Sequence, residues 1–314
     1  MKADALFLQR LRGEGTTCFR AVSSSGVWGD AYQLEGGSWA LFLGFDEASR
    51  DWPALARRKA EDFKKTWGET VGVVSGAVKT PKGSESLPAV FIDEALRGAS
   101  LVTREWGSRL ELRMDGVLNP GVFMDQRVNR GRLLQLIEKR GTAPLLNLFS
   151  YTGAFSVLAA RKGCPTTSVD CSKAYLTWEG QNHELNNTAS LSKRLKADAT
   201  DYLRRQVAKA HRGETSEEQR PGFIIVDAPT FSRADGKVFR VREDLAGMVR
   251  DAVALLSTSA GAILISCNDM GWLREDFEND VASWAGEADL QWEKGATAED
   301  FDYETKSAWL LRNL

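Results

Sequence analysis

The 314-residue chain is 43% AVILMFWYC and 27% charged, a globular composition that excludes a disordered or collagen-like chain, and its length predicts about two domains. Its 41 basic and 43 acidic residues nearly cancel, so no global positive field marks a nucleic-acid binder. His183 and His211 limit histidine chemistry, while Cys18, Cys164, Cys171 and Cys267 contain no CxxC pair, which excludes a zinc ribbon or redox pair on spacing and fits reduced thiols.

The amino terminus, MKADALFLQRLRG, has an apolar stretch too short and too charged for a signal peptide. No window approaches the roughly 18 consecutive apolar residues of a membrane span. The expected protein is soluble, cytoplasmic and without membrane association. Strands are predicted over 16–22, 30–34 and 38–45, where apolar residues alternate or run together between glycine-rich turns. Residues 51–67 predict an amphipathic helix, with Leu55, Lys59, Phe63 and Trp67 along one side and Asp51 as its N-cap. Further strands are predicted over 71–78, 89–92 and 101–106, and a hairpin-like element over 109–122. Segments 79–88 and 211–222 mix Gly, Pro, Ser and charge without apolar periodicity and predict exposed loops. Residues 1–118 are thus expected to form a small α+β domain.

From 128 onward the pattern alternates. Helices are predicted over 128–139, 154–162, 173–185, 200–210, 244–256 and 274–284. Strands are predicted over 144–148, 166–170, 191–195, 223–226, 262–266, 290–292 and 307–311. Such alternation implies a parallel sheet covered on both faces, and the last two strands suit an antiparallel hairpin at one edge. The expected class for 119–314 is α/β, Rossmann-like and mostly parallel, with that C-terminal edge hairpin.

In an open α/β sheet, ligands bind beyond the carboxyl ends of the strands, near the point where strand order reverses. The first suggestive end is NLFSYTG at 147–153. Gly153 permits close backbone approach, and the following helix offers free N–H groups. A dinucleotide fold would want G-x-G-x-x-G, so the single glycine argues against NAD and against a cradled diphosphate. Asp170 ends the next strand, where a carboxylate can accept both hydroxyls of a ribose. Asp198, in KADA, is placed to face an adenine edge. Helix capping is the plainer alternative for both. The fourth end reads DAPTFS at 227–232. Pro229 fixes its own φ and restricts Ala228, so the turn is stiff and narrow. Asp227 and the neighbouring carbonyls can accept hydrogen bonds from a flat base. Phe231 can stack on that base, an interaction worth about 1–3 kcal/mol. The alternative is a simple strand exit with Phe231 in the core.

These motifs together resemble the S-adenosylmethionine-dependent large-subunit (23S) ribosomal RNA methyltransferases of bacteria, the N7-methylguanine branch more nearly than the related cytosine-C5 branch. The resemblance is carried by FMDQR at 123–127, LNLFSYTG at 146–153, SVDCS at 168–172 with YLTW at 175–178, NHELN at 182–186, DAPTFS at 227–232, and Asp300 with Phe301. It implies S-adenosylmethionine as cofactor and no metal. Asn147, Phe149, Tyr151 and Gly153 would line its methionine and ribose side. Asp170 would bind the ribose, Cys171 would sit beside the adenine, and Asp198 would take the adenine amino group. Gln126 and Arg127 would close the methionine end, with Arg127 a partner for its carboxylate or, alternatively, a surface or helix-start charge. Asp227 would border both cofactor and base. Residues 15–118 more loosely resemble the small domain preceding the catalytic domain of the C5 enzymes, whose RNA-binding PUA domain would have no counterpart here. The family usually has Asp-Pro-Pro at the fourth strand end. Ala228 replaces the first proline and loosens the turn.

Guanine N7 is already nucleophilic, so the resemblance implies an enzyme that holds it in line and excludes water. Asp227 would orient the base, Pro229 shape the turn and Phe231 stack, after the base is extruded from folded RNA. Cytosine C5 instead needs a thiolate to add to the ring. Cys267 is the candidate, with a buried strand-closing residue as the alternative. His183 reads as a surface helix residue and His211 as a loop residue. Residues 1–140 hold 21 Lys/Arg against 18 Asp/Glu, the remainder 20 against 25. Arg57, Arg58 and Lys59 with Lys64 and Lys65, and Arg127 with Arg130 and Arg132, are candidates for phosphates, with ribosomal RNA the expected partner. Two other functions stay open on the sequence: a methyltransferase of a small molecule or protein, and a cofactor-binding RNA-assembly factor without catalysis.

Overall fold

A computed structural model describes residues 5–24, 27–45, 51–80, 83–234, 237–259, 261–269, 271–286 and 289–312. The chain divides into two units, Met1–Asp125 with Ala298–Asp302, and Gln126–Thr297 with Tyr303–Leu314. Among the described residues no helix is long and apolar enough to cross a membrane.

The first unit runs α1 (Ala5–Gly13), β1 (Cys18–Ser24), β2 (Val27–Gln33), β3 (Trp39–Phe45), α2 (Trp52–Trp67), β4 (Val71–Thr80), β5 (Gly83–Phe91), β6 (Leu101–Glu105) and β7 (Ser108–Leu112). Strands β1 to β5 form one sheet in chain order. Its pairs are antiparallel except β3–β4, which run parallel because α2 makes the crossover between them. Asp51 caps α2 by accepting the Ala54 N–H at 3.2 Å, and Gly68 ends it at φ 71°. Trp52, Ala56, Ala60 and Phe63 form its buried face. That face is rotated from the predicted stripe because the bulky Trp52 and the small alanines sit against the sheet, leaving Leu55, Lys59 and Trp67 half-buried.

Two expectations here are corrected. The predicted loop at 79–88 is a strand pair, with β4 and β5 in register through Thr80 and Gly83. Most of β5 is exposed at the sheet edge, so burial imposes no apolar alternation on it. The hairpin expected over 109–122 instead joins β7 to β6. Trp106 and Gly107 turn it at φ 49° and 71°, as a two-residue turn with both φ positive requires. Helix α1, absent from the prediction, buries Phe7 and Leu11 one helical turn apart.

The second unit runs α3 (Arg127–Arg140), β8 (Leu145–Leu148), α4 (Ala154–Arg161), β9 (Thr166–Asp170), α5 (Lys173–Leu185), β10 (Ser192–Lys196), α6 (Ala199–His211), β11 (Phe223–Ala228), β12 (Phe231–Ala234), β13 (Lys237–Arg240), α7 (Val241–Leu255), β14 (Ala262–Cys267), α8 (Arg274–Ala285), β15 (Leu290–Lys294) and β16 (Lys306–Arg312). Its seven-stranded sheet has the order β10-β9-β8-β11-β14-β16-β15. The first five strands are parallel, and β16 lies antiparallel to both β14 and β15. The α/β class and the C-terminal antiparallel pair are as expected, with β16 the inner strand of that pair. The central strands β8 and β14 are wholly buried. Burial on both faces is why they read as apolar runs rather than alternation. Leu203 of α6, Leu245 and Met248 of α7 and Phe277 of α8 pack into the core on one face, while α4 and α5 pack on β8 and β9. The winding reverses between β8 and β11, which places the crevice of the switch point at the carboxyl ends of those two strands. The β12–β13 hairpin that follows β11 had no counterpart in the prediction.

Candidate active site

The turn from β8 into α4 alternates left-handed residues: Phe149 at φ 58°, Tyr151 at 51° and Gly153 at 76°. Two aromatic residues in that region are costly, and such strain persists where surrounding contacts enforce it. Three contacts hold this turn. The Ser150 N–H donates to the Val169 carbonyl at 3.2 Å. The Tyr151 N–H donates to Asp170 Oδ2 at 3.0 Å. Asn182 Nδ2 donates to the Thr152 carbonyl at 2.9 Å. The Tyr151 ring meets Tyr175 edge-on with centroids 4.6 Å apart, and Phe149 packs on Phe239 at 5.1 Å.

Beneath the turn lies a buried polar network that the sequence reading missed. Glu179 of α5 accepts from Ser150 Oγ at 3.1 Å and from Ser168 Oγ. Ser168 and Ser156 share a hydrogen bond of 2.7 Å, and Asn147 Nδ2 donates to Ser156 Oγ at 2.9 Å. Asn147 therefore sits in the support of the turn. His183, predicted on the surface, is fully buried. Its Nδ1 lies 2.8 Å from Thr188 Oγ1, and its Nε2 lies 3.7 Å from Glu179 Oε1. A polar i,i+4 pair looks like a solvated helix face in sequence. The available signal was its phase, because Leu176, Glu179 and His183 follow i, i+3, i+7 spacing. His211 is the last residue of α6, not a loop residue.

Asp170, at the end of β9, accepts one N–H on each oxygen, from Tyr151 and from Ser172 at 2.8 Å. Burial raises its pKa, opposed by those two N–H donors. The Cys171 thiol also hydrogen-bonds this carboxylate, so of its four lone-pair sites one is left for a hydroxyl and a second only if the thiol gives way. Cys171 is exposed beside it, with its thiol pKa raised by partial burial and by the Asp170 charge. Asp198 caps α6, accepting the Asp201 N–H at 2.9 Å. Two strand-end carboxylates, Asp170 and Asp198, both close enough to act on the Cys171 thiol, and the exposed ring of Tyr175 form an acceptor and stacking set suited to an adenosine moiety.

A second cluster lies at the ends of β11 and β14, where the register sets Asp227 beside Ser266 and Ala228 beside Cys267. Buried Gln126 bridges the two strands. Its Nε2 donates to Asp227 Oδ1 at 3.2 Å and to Ser266 Oγ at 2.5 Å, and its Oε1 accepts from Asn129 at 2.7 Å. Asn129 Oδ1 in turn accepts from Trp309 Nε1 at 3.3 Å. Asp227 is half-buried, Pro229 follows it in the turn, and Phe231 is 47% exposed. Phe231 is therefore not a core residue. Cys267 is 1% exposed. Burial, reinforced by the charges of Asp269 and Asp227, pushes its thiol up to about 11, so little thiolate exists at neutral pH. Arg127 and Arg130 are buried, and Arg132 pairs with Glu293 at 2.7 Å. These three do not form the phosphate-binding cluster that their spacing suggested, because α3 turns two of them inward. Arg57, Arg58, Lys64 and Lys65 are exposed on α2.

The fold and this strand-end site define a Rossmann-like methyltransferase. The family of S-adenosylmethionine-dependent methyltransferases matches residues 86–289, and the chain belongs to it. The chain is accordingly an enzyme of that class, with S-adenosylmethionine as methyl donor. Ribosomal RNA large subunit methyltransferase K/L of Methylococcus capsulatus is 33% identical over 189 residues, 59% of this chain and 23% of that protein. This chain thus spans under a quarter of that relative's length. Among solved structures, SMU.776, assigned as a methyltransferase and complexed with SAH, superposes with a TM-score of 0.70 at 23% identity, covering 97% of this chain and 77% of that one. The SAM-dependent methyltransferase from Agrobacterium tumefaciens gives 0.68 at 20% identity, covering 95% and 90%. At such identities these likenesses establish the fold.

Proposed function

We propose that this enzyme methylates a base of large-subunit ribosomal RNA in the cytoplasm, with guanine N7 as the favoured acceptor. The observation that carries this reading is the acceptor side of the site. An oriented carboxylate, Asp227, is followed through the stiff Pro229 turn by the exposed ring of Phe231. A flat base can be hydrogen-bonded by the first and stacked by the last. The name of the Methylococcus capsulatus relative supplies the RNA class.

When bound, S-adenosylmethionine supplies an electrophilic methyl group. In this reading Asp170 accepts the ribose hydroxyls, Asp198 faces the adenine amino group and Cys171 lies beside the adenine. Asn147, Phe149, Tyr151 and Gly153 shape the wall between them. Gln126 orients Asp227, and Arg127 closes the methionine end. Guanine N7 carries its own lone pair and needs no proton removed, so orientation and exclusion of water suffice. Both histidines lie outside this chemistry: His183 is locked under the β8–α4 turn and His211 ends α6. The cytosine-C5 route needs a thiolate, which the burial of Cys267 disfavours.

The test is mass spectrometry of ribosomal RNA from a strain lacking the gene, complemented with variants. One 7-methylguanosine should disappear on deletion. It should return with the wild type and with Cys267→Ala, but not with Asp227→Ala. Loss of a 5-methylcytidine that Cys267→Ala fails to restore would establish the C5 route instead. An unchanged RNA would refute the ribosomal substrate.

A further inference from the structure

The segment between the Asp227 turn and α7 is a hairpin with two unlike faces. Its register pairs Phe231 with Arg240, Ser232 with Phe239, and Arg233 with Val238. Directly opposed residues of an antiparallel pair share a face. The 232/239 position is the inner one: Phe239 is buried and its ring meets Phe149 at 5.1 Å. Phe231 with Arg240 opposite it, and Val238 two residues before Arg240, belong to the outer face, where all three are exposed. The root is fastened as well. The Val241 N–H donates to the Thr230 carbonyl at 3.2 Å, and Thr230 Oγ1 donates to the Asn268 carbonyl at 3.2 Å.

The same segment is basic. Residues 231–242 contain Arg233, Lys237, Arg240 and Arg242 against the single acid Asp235, within a stretch, 141–314, that holds 20 basic and 25 acidic residues. Arg242 is engaged with Asp269 at 2.6 Å. Arg240 has an exposed contact with Glu243 at 3.6 Å, of a kind that contributes little and yields readily to a phosphate.

We propose that the outer face of the β12–β13 hairpin is the docking surface for the RNA strand that carries the acceptor base. Phe231, at the root, receives the base. Arg240, paired across from it, holds the flanking phosphate, and Val238 offers an apolar rest for the next unpaired nucleotide. This rests on the RNA reading above.

The experiment titrates a mixed-sequence single-stranded RNA oligonucleotide, and separately protein-free large-subunit ribosomal RNA, against the full chain at several salt concentrations. The variants are Arg240→Gln, the charge-preserving Arg240→Lys, and Val238→Ser. Losing one phosphate contact should reduce the slope of log affinity on log salt by about 0.7, which makes Arg240→Gln about 5-fold weaker at 0.1 M salt, converging with the wild type near 1 M. Arg240→Lys should keep the wild-type slope. Val238→Ser should weaken binding without changing the slope. Cofactor affinity of Arg240→Gln should equal that of the wild type, which also verifies folding. If the wild type binds and methylates RNA while Arg240→Gln shows the same affinity and slope, the hairpin is not the docking surface and the RNA reading stands. If the wild type neither binds nor methylates RNA, the RNA reading itself fails and the hairpin assignment with it.

Discussion

Gly153 shows how one residue type can be dictated twice. Its φ of 76° lies where L-residues are strained, and a Cβ there would lie 2.3 Å from Glu179 Cγ and 2.5 Å from Cδ. Gly153→Ala is therefore expected to destabilise the fold by about 1–3 kcal/mol from backbone strain alone, with the clash added. It should also weaken cofactor binding through displacement of the turn. Denaturant melts and calorimetric titration of cofactor measure the two effects. Adding Gly153→Ala to Glu179→Ala, and comparing with Glu179→Ala alone, should show the backbone part without the clash. A Gly153→Ala variant as stable as the wild type would show that the turn is free to relax. The glycine was legible in the sequence because its constraint is local. Glu179 and His183 were not, since hydrophobic periodicity registers apolar burial and says nothing of carboxylate and imidazole groups whose burial is compensated by serine and threonine hydroxyls.

Secondary elements were legible to the extent that their burial was asymmetric. Helix α2 announced itself by its cap and apolar stripe, and β11 and β14 by their apolar runs. The edge strand β5 did so only at its end, over 89–91, its earlier residues being mostly exposed, and β12–β13 did not, since exposed Val238 and Arg240 flank the buried Phe239. Helix α3 was found, but its inward side was misjudged because Arg127 and Arg130 occupy buried positions. The guanidinium of Arg130 lies 5.3 Å from the Phe155 ring centroid, an arrangement in which a cation is attracted to the aromatic face. A third arginine, Arg132, ties α3 to β15 through two hydrogen bonds to Glu293, at 2.7 and 2.5 Å. Both side chains are about one-third exposed, so solvent screens the pair. Arg132→Ala should cost no more than about 1 kcal/mol, with the loss concentrated in faster hydrogen exchange along β15. Global destabilisation well beyond that would mean the ion pair also governs how β15 registers on β16.

Over the whole molecule, the first unit closes through contacts that no local pattern can signal. The Arg20 N–H donates to Asp300 Oδ2 at 2.7 Å across 280 positions of sequence, and the Arg20 guanidinium lies 4.2 Å from the Phe301 ring centroid. The same guanidinium binds Asp30, with Nε to Oδ1 at 2.5 Å, and both side chains are buried. Desolvation outweighs the pull of Arg20, and Asp30 is pushed up from 3.8 to about 6. A folded-state pKa above the unfolded value means that the native state binds the proton more tightly. The associated stability is complete below about pH 4 and is lost as pH rises through 6. At 1.36 kcal/mol per pKa unit the loss is about 3 kcal/mol. Hydrogen exchange across β1, β2 and β3, corrected for intrinsic rates, should show the wild type losing that much more protection than Asp30→Asn between pH 4 and 7. The variant leaves Arg20 without its carboxylate at every pH, which shifts its whole profile but not its slope from this group. Parallel profiles for the two proteins would show that Asp30 keeps an ordinary pKa in the fold, and that the guanidinium rather than desolvation sets the balance in this buried pair.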